Sequence, residues 1–130
     1  MIVYRFQDVD GRGPYKPGMR DRWGDADHDF RGLRSFIEDP DIGVSVIRGR
    51  RPGRVGCAFL SLEQARRWFT PREVMRMQRC GYELICMDAT VLAASDQQCV
   101  IEADRPLCEI GFIVPAEEIW PILTIATSAG

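Results

Sequence analysis

The chemistry available to this chain depends first on its single histidine, His28. Three aspartates surround it within residues 25–29, so carboxylates and an imidazole occur together. Such a group could bind a cation or transfer protons. An EF-hand calcium loop would also need a glycine and a distal glutamate at fixed positions, and both are missing. The pattern favours a polar loop stabilised by local turns, in which Asp25 and Asp27 are available to a partner.

A second candidate site is the arginine-rich segment at residues 48–54. Four of its seven residues are arginine, and the others are glycine and proline. Guanidinium groups bind phosphates and carboxylates, so the segment could contact an anion. A short basic segment is more commonly a solvated surface loop, and we favour that interpretation. Together with Asp25 and Asp27, the candidate partner-binding residues are Arg48, Arg50, Arg51, Arg54, Arg72 and Arg76.

Several kinds of catalytic site lack their residues in this sequence. One histidine cannot supply a two-histidine metal site, and only His28 could serve a serine or cysteine triad. Gly11 and Gly13 are followed by Pro14 rather than by a helix-opening glycine, so no nucleotide-binding motif is formed. The five cysteines include no C-x-x-C pair and are interpreted as free thiols in a reducing cytosol. The sequence therefore predicts no metal site and no cofactor.

Length and composition predict one domain over residues 1–130. The chain is 45% hydrophobic, which is enough for a single core. The net charge of -2 makes nucleic acid an unexpected partner. No segment approaches the ~18 consecutive apolar residues of a membrane span, so we expect a cytoplasmic protein without membrane association. Residues 7–41, rich in glycine, proline, aspartate and arginine, predict a long polar loop region.

The clearest structural signals lie in residues 55–89, which predict strand, helix, helix and strand. Ser61 and Gln64 have the spacing of a capping box at the start of a helix. Thr70 repeats that signal before Pro71 for a second helix, and Gly81 is typical of a helix C-terminus. The first strand, residues 55–60, is expected to be buried on both faces and closely approached by neighbouring elements.

The rest of the chain predicts mainly strands. They are expected at residues 2–6, 42–48, 82–89, 98–102 and 107–114, with a hairpin turn at 95–97 and short helical turns at 31–38 and 115–118. Strands grouped around two consecutive short helices indicate an α+β fold with a mostly antiparallel sheet. The apolar segment Ile119–Ile125 would close the core or cover a sheet edge, or form a homodimer contact if it is not buried.

Three stretches of this chain resemble a family of small phage and prophage proteins. They are Val3-Tyr4-Arg5, Gly13-Pro14-Tyr15 and Cys57–Phe69, and the resemblance covers about residues 1–15 and 55–100. It implies a phage protein in the host cell cytoplasm. The order of elements is also similar to the ADP-ribosyltransferase-like fold. That similarity implies NAD as cofactor, with Arg5, Ser61 and Glu102 in the catalytic site and Tyr15 near the same cleft.

Two functions follow as hypotheses. The first is a protein that binds and inhibits or modulates a host protein, for example a defence complex, with anti-CRISPR activity as one form. The alternative is an NAD-dependent ADP-ribosyltransferase-like enzyme. The late strand lacks the Glu-x-Glu or Gln-x-Glu pattern of those enzymes, because Gln97 and Gln98 precede Glu102 by several residues. Either Glu102 supplies the catalytic carboxylate, or the fold is kept without the chemistry.

Overall fold

A computed structural model of the chain describes residues 1–14 and 39–120. Its strands are β1 Ile2–Gln7, β2 Val55–Ala58, β3 Glu83–Asp88, β4 Thr90–Ala94, β5 Cys99–Glu102 and β6 Phe112–Ile113. Its α-helices are α1 Leu62–Trp68, α2 Pro71–Arg79 and α3 Ala116–Ile119. Most of the predicted loop region, including Tyr15, Asp25 and Asp27, lies outside the described residues, as does the helical turn at 31–38. The extent of the domain over residues 1–130 therefore stays a prediction.

The strands form two antiparallel sheets, which confirms the α+β prediction. The first sheet has the order β1-β3-β6 and the second has the order β2-β5-β4. Tyr4 of β1 and Phe59, just after β2, form an isolated bridge between the sheets. The hairpin between β4 and β5 turns at residues 95–98 as predicted, where the Ser95 amide donates to the Gln98 carbonyl.

Two hydrophobic cores lie on opposite faces of the first sheet. On one face, Phe6 and Leu84 pack with side chains of α1 and α2, and we call this the helix-side core. On the other face, Val3 and Met87 pack with Ile101 of the second sheet, and we call this the inter-sheet core. Leu84 and Met87 of the predicted strand at residues 82–89 therefore face different cores, because successive side chains of a strand point to opposite faces.

Local sequence determines where the two central helices begin and end. Ser61 Oγ accepts from the Gln64 amide at 3.2 Å, whereas the Gln64 side chain accepts from Leu60 instead of closing the box on Ser61. Thr70 and Glu73 form both hydrogen bonds of a capping box. Gly81 ends α2 at a φ of 90°, which favours glycine.

One strand prediction is wrong, and another is right for only part of its range. Within residues 42–48, Val44–Ile47 form a 3-10 helix that follows Gly43 at a φ of 82°, and Val44 is half exposed. Within residues 107–114, Leu107–Glu109 form another 3-10 helix and only Phe112–Ile113 are a strand. Apolar residues form a strand only where a neighbouring strand is available to pair with them. Within the described part of the chain, residues 44–47 and 107–109 have no such partner.

The prediction that residues 55–60 are buried on both faces is also wrong. Val55, Gly56 and Cys57 are half-buried, because one face of β2 borders a cavity.

The apolar segment Ile119–Ile125 is described only at its first two residues. Ile119 is buried in the helix-side core, and Trp120 packs against that core. Among the described residues, no helix is long and apolar enough to cross a membrane.

Candidate functional site

Arg5 is buried where the two sheets meet and donates hydrogen bonds to three groups. Its Nη1 donates to the Cys57 carbonyl at 2.7 Å, and its Nη2 donates to the Gly11 carbonyl at 3.0 Å. Its Nε donates to Gln7 Oε1 at 3.2 Å. Burial lowers the pKa of Arg5, while the nearby Cys57 and Asp8 act in the opposite direction. The guanidinium thus links β1 to β2 and to the loop that follows β1.

The surroundings of Arg5 are shaped to hold this side chain. A Cβ atom on Gly56 would lie 2.5 Å from Arg5 Nη1, so only glycine leaves room for the guanidinium beside β2. This is the close approach predicted for the small residues of β2. The Gln7 side chain, which accepts from Arg5, donates in turn to the Leu107 carbonyl at 2.8 Å. Arg5 therefore belongs to a buried network that connects four parts of the chain.

The arginine-rich segment 48–54 forms a loop attached to the end of the second sheet. The Gly53 carbonyl accepts from the Leu107 amide at 2.8 Å, and the Arg54 carbonyl accepts from the Ala103 amide at 2.8 Å. The Arg54 side chain donates to the Asp104 carbonyl. The loop is thus fixed at its C-terminal end, where it leads directly into β2. We call residues 48–54 the arginine loop.

An open cavity of about 330 Å³ lies between the arginine loop and the second sheet. Val55 and Cys57 of β2 and Val100 of β5 form its floor, because they share one face of the strand pair. The 3-10 helix and the arginine loop supply the remaining lining residues, which are Ile47, Arg50, Arg51 and Pro52, and Gly56 contributes backbone. The site therefore combines apolar walls with arginines.

The charged groups around this cavity are arranged unevenly. Arg50 Nη1 pairs with Glu102 Oε1 at 3.2 Å, and the arginine of this pair is the more exposed partner. Arg51 is exposed, and its guanidinium has no ion pair or hydrogen bond within the described residues. Burial raises the pKa of Cys57 to about 11, so its thiol is neutral at physiological pH. The site is consequently positive at its rim and uncharged at its floor.

The three residues proposed for NAD chemistry lie in different environments. Ser61 follows β2 near the Ala58–Cys99 end of the β2–β5 pair, and its hydroxyl caps α1. Glu102 lies at the other end of that pair, opposite Val55, and binds Arg50. Arg5 approaches β2 from the side on which Gly56 would carry its Cβ. The structure does not bring the three side chains together, and the roles assigned to them stay predictions.

The remaining candidate residues are divided between α2 and the part of the chain outside the described residues. Arg72 is exposed and Arg76 is half-buried on α2, and Met75 between them is 54% exposed. Within residues 1–14 and 39–120, no group of three or more His, Cys, Asp or Glu side chains is placed to hold a metal ion. The apolar cavity was not predicted from the sequence. Gly56 in β2 indicated a close approach of another group, but no local pattern indicated a cavity.

Comparison with known proteins assigns the chain to a family but finds no individual relative. Neither the curated proteins nor the solved structures contain a match to it. A family model described as "Bacteriophage T4 Y00F protein" matches residues 1–110. The match includes β1 to β5, the arginine loop and the cavity, and it agrees with the resemblance to small phage proteins. The chain belongs to the bacteriophage T4 Y00F protein family.

Proposed function

We propose that this phage protein acts by binding a host protein, and that the arginine loop with its adjoining cavity is the contact surface. The observation that carries the proposal is the combination of a basic loop, held by backbone hydrogen bonds, with an apolar concave surface. Protein interfaces commonly consist of an apolar centre with a polar rim, and arginine is enriched in them.

The anchoring of the arginine loop favours binding energetically. A loop that is already ordered loses less conformational entropy when a partner binds it. Gly53 and Arg54 are both held by backbone hydrogen bonds to the segment 103–107, and Arg50 is held by its ion pair with Glu102. Arg48 and Arg51 remain exposed and available to acidic groups. The expected partner therefore has an acidic patch beside an apolar group.

The environment of Arg5 supports binding over catalysis. An arginine that holds NAD must be accessible to the ligand, whereas Arg5 is 8% exposed and each nitrogen of its guanidinium donates a hydrogen bond to a protein acceptor. Ser61 likewise acts as a helix cap. We infer that the host protein is inhibited or modulated by occupation of its surface, and a defence complex is the kind of target that a phage protein would benefit from blocking.

The experiment is an affinity capture from host lysate with three tagged proteins: wild type, Arg51→Glu and Arg79→Glu. Arg79 is an exposed arginine on α2, so the control makes the same charge change on a different element. We expect one stoichiometric host protein to be retained by wild type and by Arg79→Glu, and to be lost with Arg51→Glu. Absence of any retained host protein with wild type would refute the proposed function.

A further inference from the structure

We infer that the cavity beside the arginine loop binds a single large apolar side chain from an acidic segment of the partner protein. The inference rests on the proposed function and specifies the chemistry of the partner.

The walls of the cavity suit an apolar side chain. Val55 and Val100 form the floor, while Ile47 and Pro52 form the walls, and none of these four side chains carries a polar group. The volume of about 330 Å³ is near the lower end of the range for ligand-binding pockets, which is roughly 300–1,000 Å³. It is large enough for one phenylalanine or leucine side chain together with part of the neighbouring backbone.

The rim of the cavity favours acidic groups next to that side chain. Arg50 and Arg51 both line the cavity, and a planar guanidinium can form two parallel hydrogen bonds with a carboxylate. Among the described residues Glu102 pairs with Arg50 and not with Arg51, so the exposed Arg51 can receive a carboxylate from the partner. The neutral Cys57 thiol at the floor adds no charge that would repel an acidic segment.

Protein is favoured over nucleic acid as the source of the anionic groups. Single-stranded nucleic acids are bound mainly through bases stacked on aromatic side chains, with phosphates on a basic groove. The described residues that line the cavity include no aromatic side chain. Aliphatic walls instead complement an apolar amino-acid side chain, and the arginines complement its acidic neighbours.

The test measures binding of fluorescently labelled peptides by anisotropy. The probe has a central phenylalanine flanked on both sides by aspartates. One control peptide replaces phenylalanine with serine, and another replaces the aspartates with lysines. We expect the probe to bind wild type at least roughly tenfold more tightly than the serine peptide does. The reason is that burial of the phenylalanine side chain stabilises the complex by at least the free energy that corresponds to this ratio of dissociation constants. The lysine peptide is expected not to bind.

Two protein variants locate the bound peptide. Val55→Trp fills the cavity from its floor, and Ile47→Glu places a carboxylate on its wall without altering a buried core residue. Both substitutions should weaken binding of the phenylalanine–aspartate probe roughly tenfold, whereas Arg79→Glu should leave its binding unchanged. Circular dichroism verifies that each variant is folded, and Ile47→Glu decides the result if Val55→Trp does not fold.

The outcomes separate this inference from the proposed function. If wild type captures a host protein that Arg51→Glu loses, while the acidic probe binds no better than the serine peptide, the inference is wrong and the proposed function stands. Tighter binding of a labelled single-stranded oligonucleotide than of the acidic probe, lost in Ile47→Glu, would also overturn it. Selective binding of the probe that both cavity variants weaken would support it.

Discussion

Arg5 and Gly56 are in contact where β1 lies beside β2, and the contact is possible only because Gly56 has no side chain. A Cβ atom at this position would lie 2.5 Å from Arg5 Nη1 and 2.6 Å from its Cζ. Arg5 cannot easily move away, because its three hydrogen bonds fix the guanidinium to Gln7, Cys57 and Gly11. The position of a buried charge thus depends on the identity of one residue in a neighbouring strand.

The contact predicts that Gly56→Ala destabilises the protein. The added methyl group must displace a side chain that is buried and hydrogen-bonded, and overpacking of this kind costs about 1–3 kcal/mol. The measurement is urea unfolding followed by tryptophan fluorescence. Gly13→Ala is the matched control, because its Cβ would lie 3.6 Å from Arg5 Nη2, an ordinary contact distance. Equal unfolding midpoints for the two variants would show that Arg5 can move.

The hydrogen bonds of Arg5 predict that lysine cannot replace it. Lysine keeps the positive charge but has one nitrogen, which cannot reach three acceptors arranged around a planar guanidinium. Each lost hydrogen bond to a charged group costs about 1.5–3 kcal/mol, so Arg5→Lys should lower the free energy of unfolding by at least about 2 kcal/mol. Arg12→Lys, at an exposed position, should change it by less than about 0.5 kcal/mol. A stability of Arg5→Lys equal to that of wild type is the contrary result.

These two residues also show how far the sequence could predict the site. The type of each residue was informative, since glycine in a strand indicates a close approach of another group. The partner was not predictable, because Arg5 and Cys57 are 52 residues apart and Gln7 and Leu107 are 100 residues apart. Nothing local in the sequence indicates that Arg5 points toward β2 and not toward solvent. The similarity to the ADP-ribosyltransferase-like fold implied a role for Arg5 in binding NAD, whereas the structure places its guanidinium among protein carbonyls.

The helix predictions succeeded because their signals lie close together in the sequence. Thr70 and Glu73 are three residues apart, and the capping box that they form needs no other part of the chain. The 3-10 helix at Val44–Ile47 could not be foreseen in the same way. Its alternating apolar residues are compatible with a strand, and only the tertiary arrangement leaves them without a strand to pair with. The cavity needs β2, β5 and this 3-10 helix together, so it was not predictable either.

The thiol of Cys57 predicts a loss of stability at alkaline pH. Burial raises its pKa from 9.0 to about 11, so between these values the unfolded chain releases a proton that the folded chain retains. The contribution of Cys57 is fully present below pH 9 and decreases as the pH rises toward 11. Urea midpoints measured across this range should fall less steeply for Cys57→Ala than for wild type. Cys99, whose pKa is raised to about 12, also lowers the stability at alkaline pH, but it does so equally in wild type and in Cys57→Ala.

If the urea midpoints of wild type and Cys57→Ala fall equally as the pH rises, the folded protein tolerates the Cys57 thiolate. Alkylation with iodoacetamide at neutral pH provides an independent measurement, because the thiolate is the reactive form. We expect Cys108, which is exposed, to be modified first in the folded protein, and Cys57 and Cys99 to be modified only after unfolding. Mass spectrometry of proteolytic peptides identifies which cysteine has reacted.

The placement of Ser61 and Glu102 at opposite ends of the β2–β5 pair predicts that the protein does not transfer ADP-ribose. Glu102 binds Arg50, and Ser61 caps α1, so neither side chain is positioned to share one nicotinamide ribose. Incubation of wild type with labelled NAD and host lysate should label no protein, and calorimetry at millimolar NAD should detect no binding. Transfer of label that Glu102→Gln abolishes and Glu109→Gln preserves would establish the enzyme instead, since Glu109 is an exposed carboxylate nearby in the sequence. In that case the carboxylate would have to leave Arg50 when NAD binds, and Arg50→Ala would be expected to increase the rate.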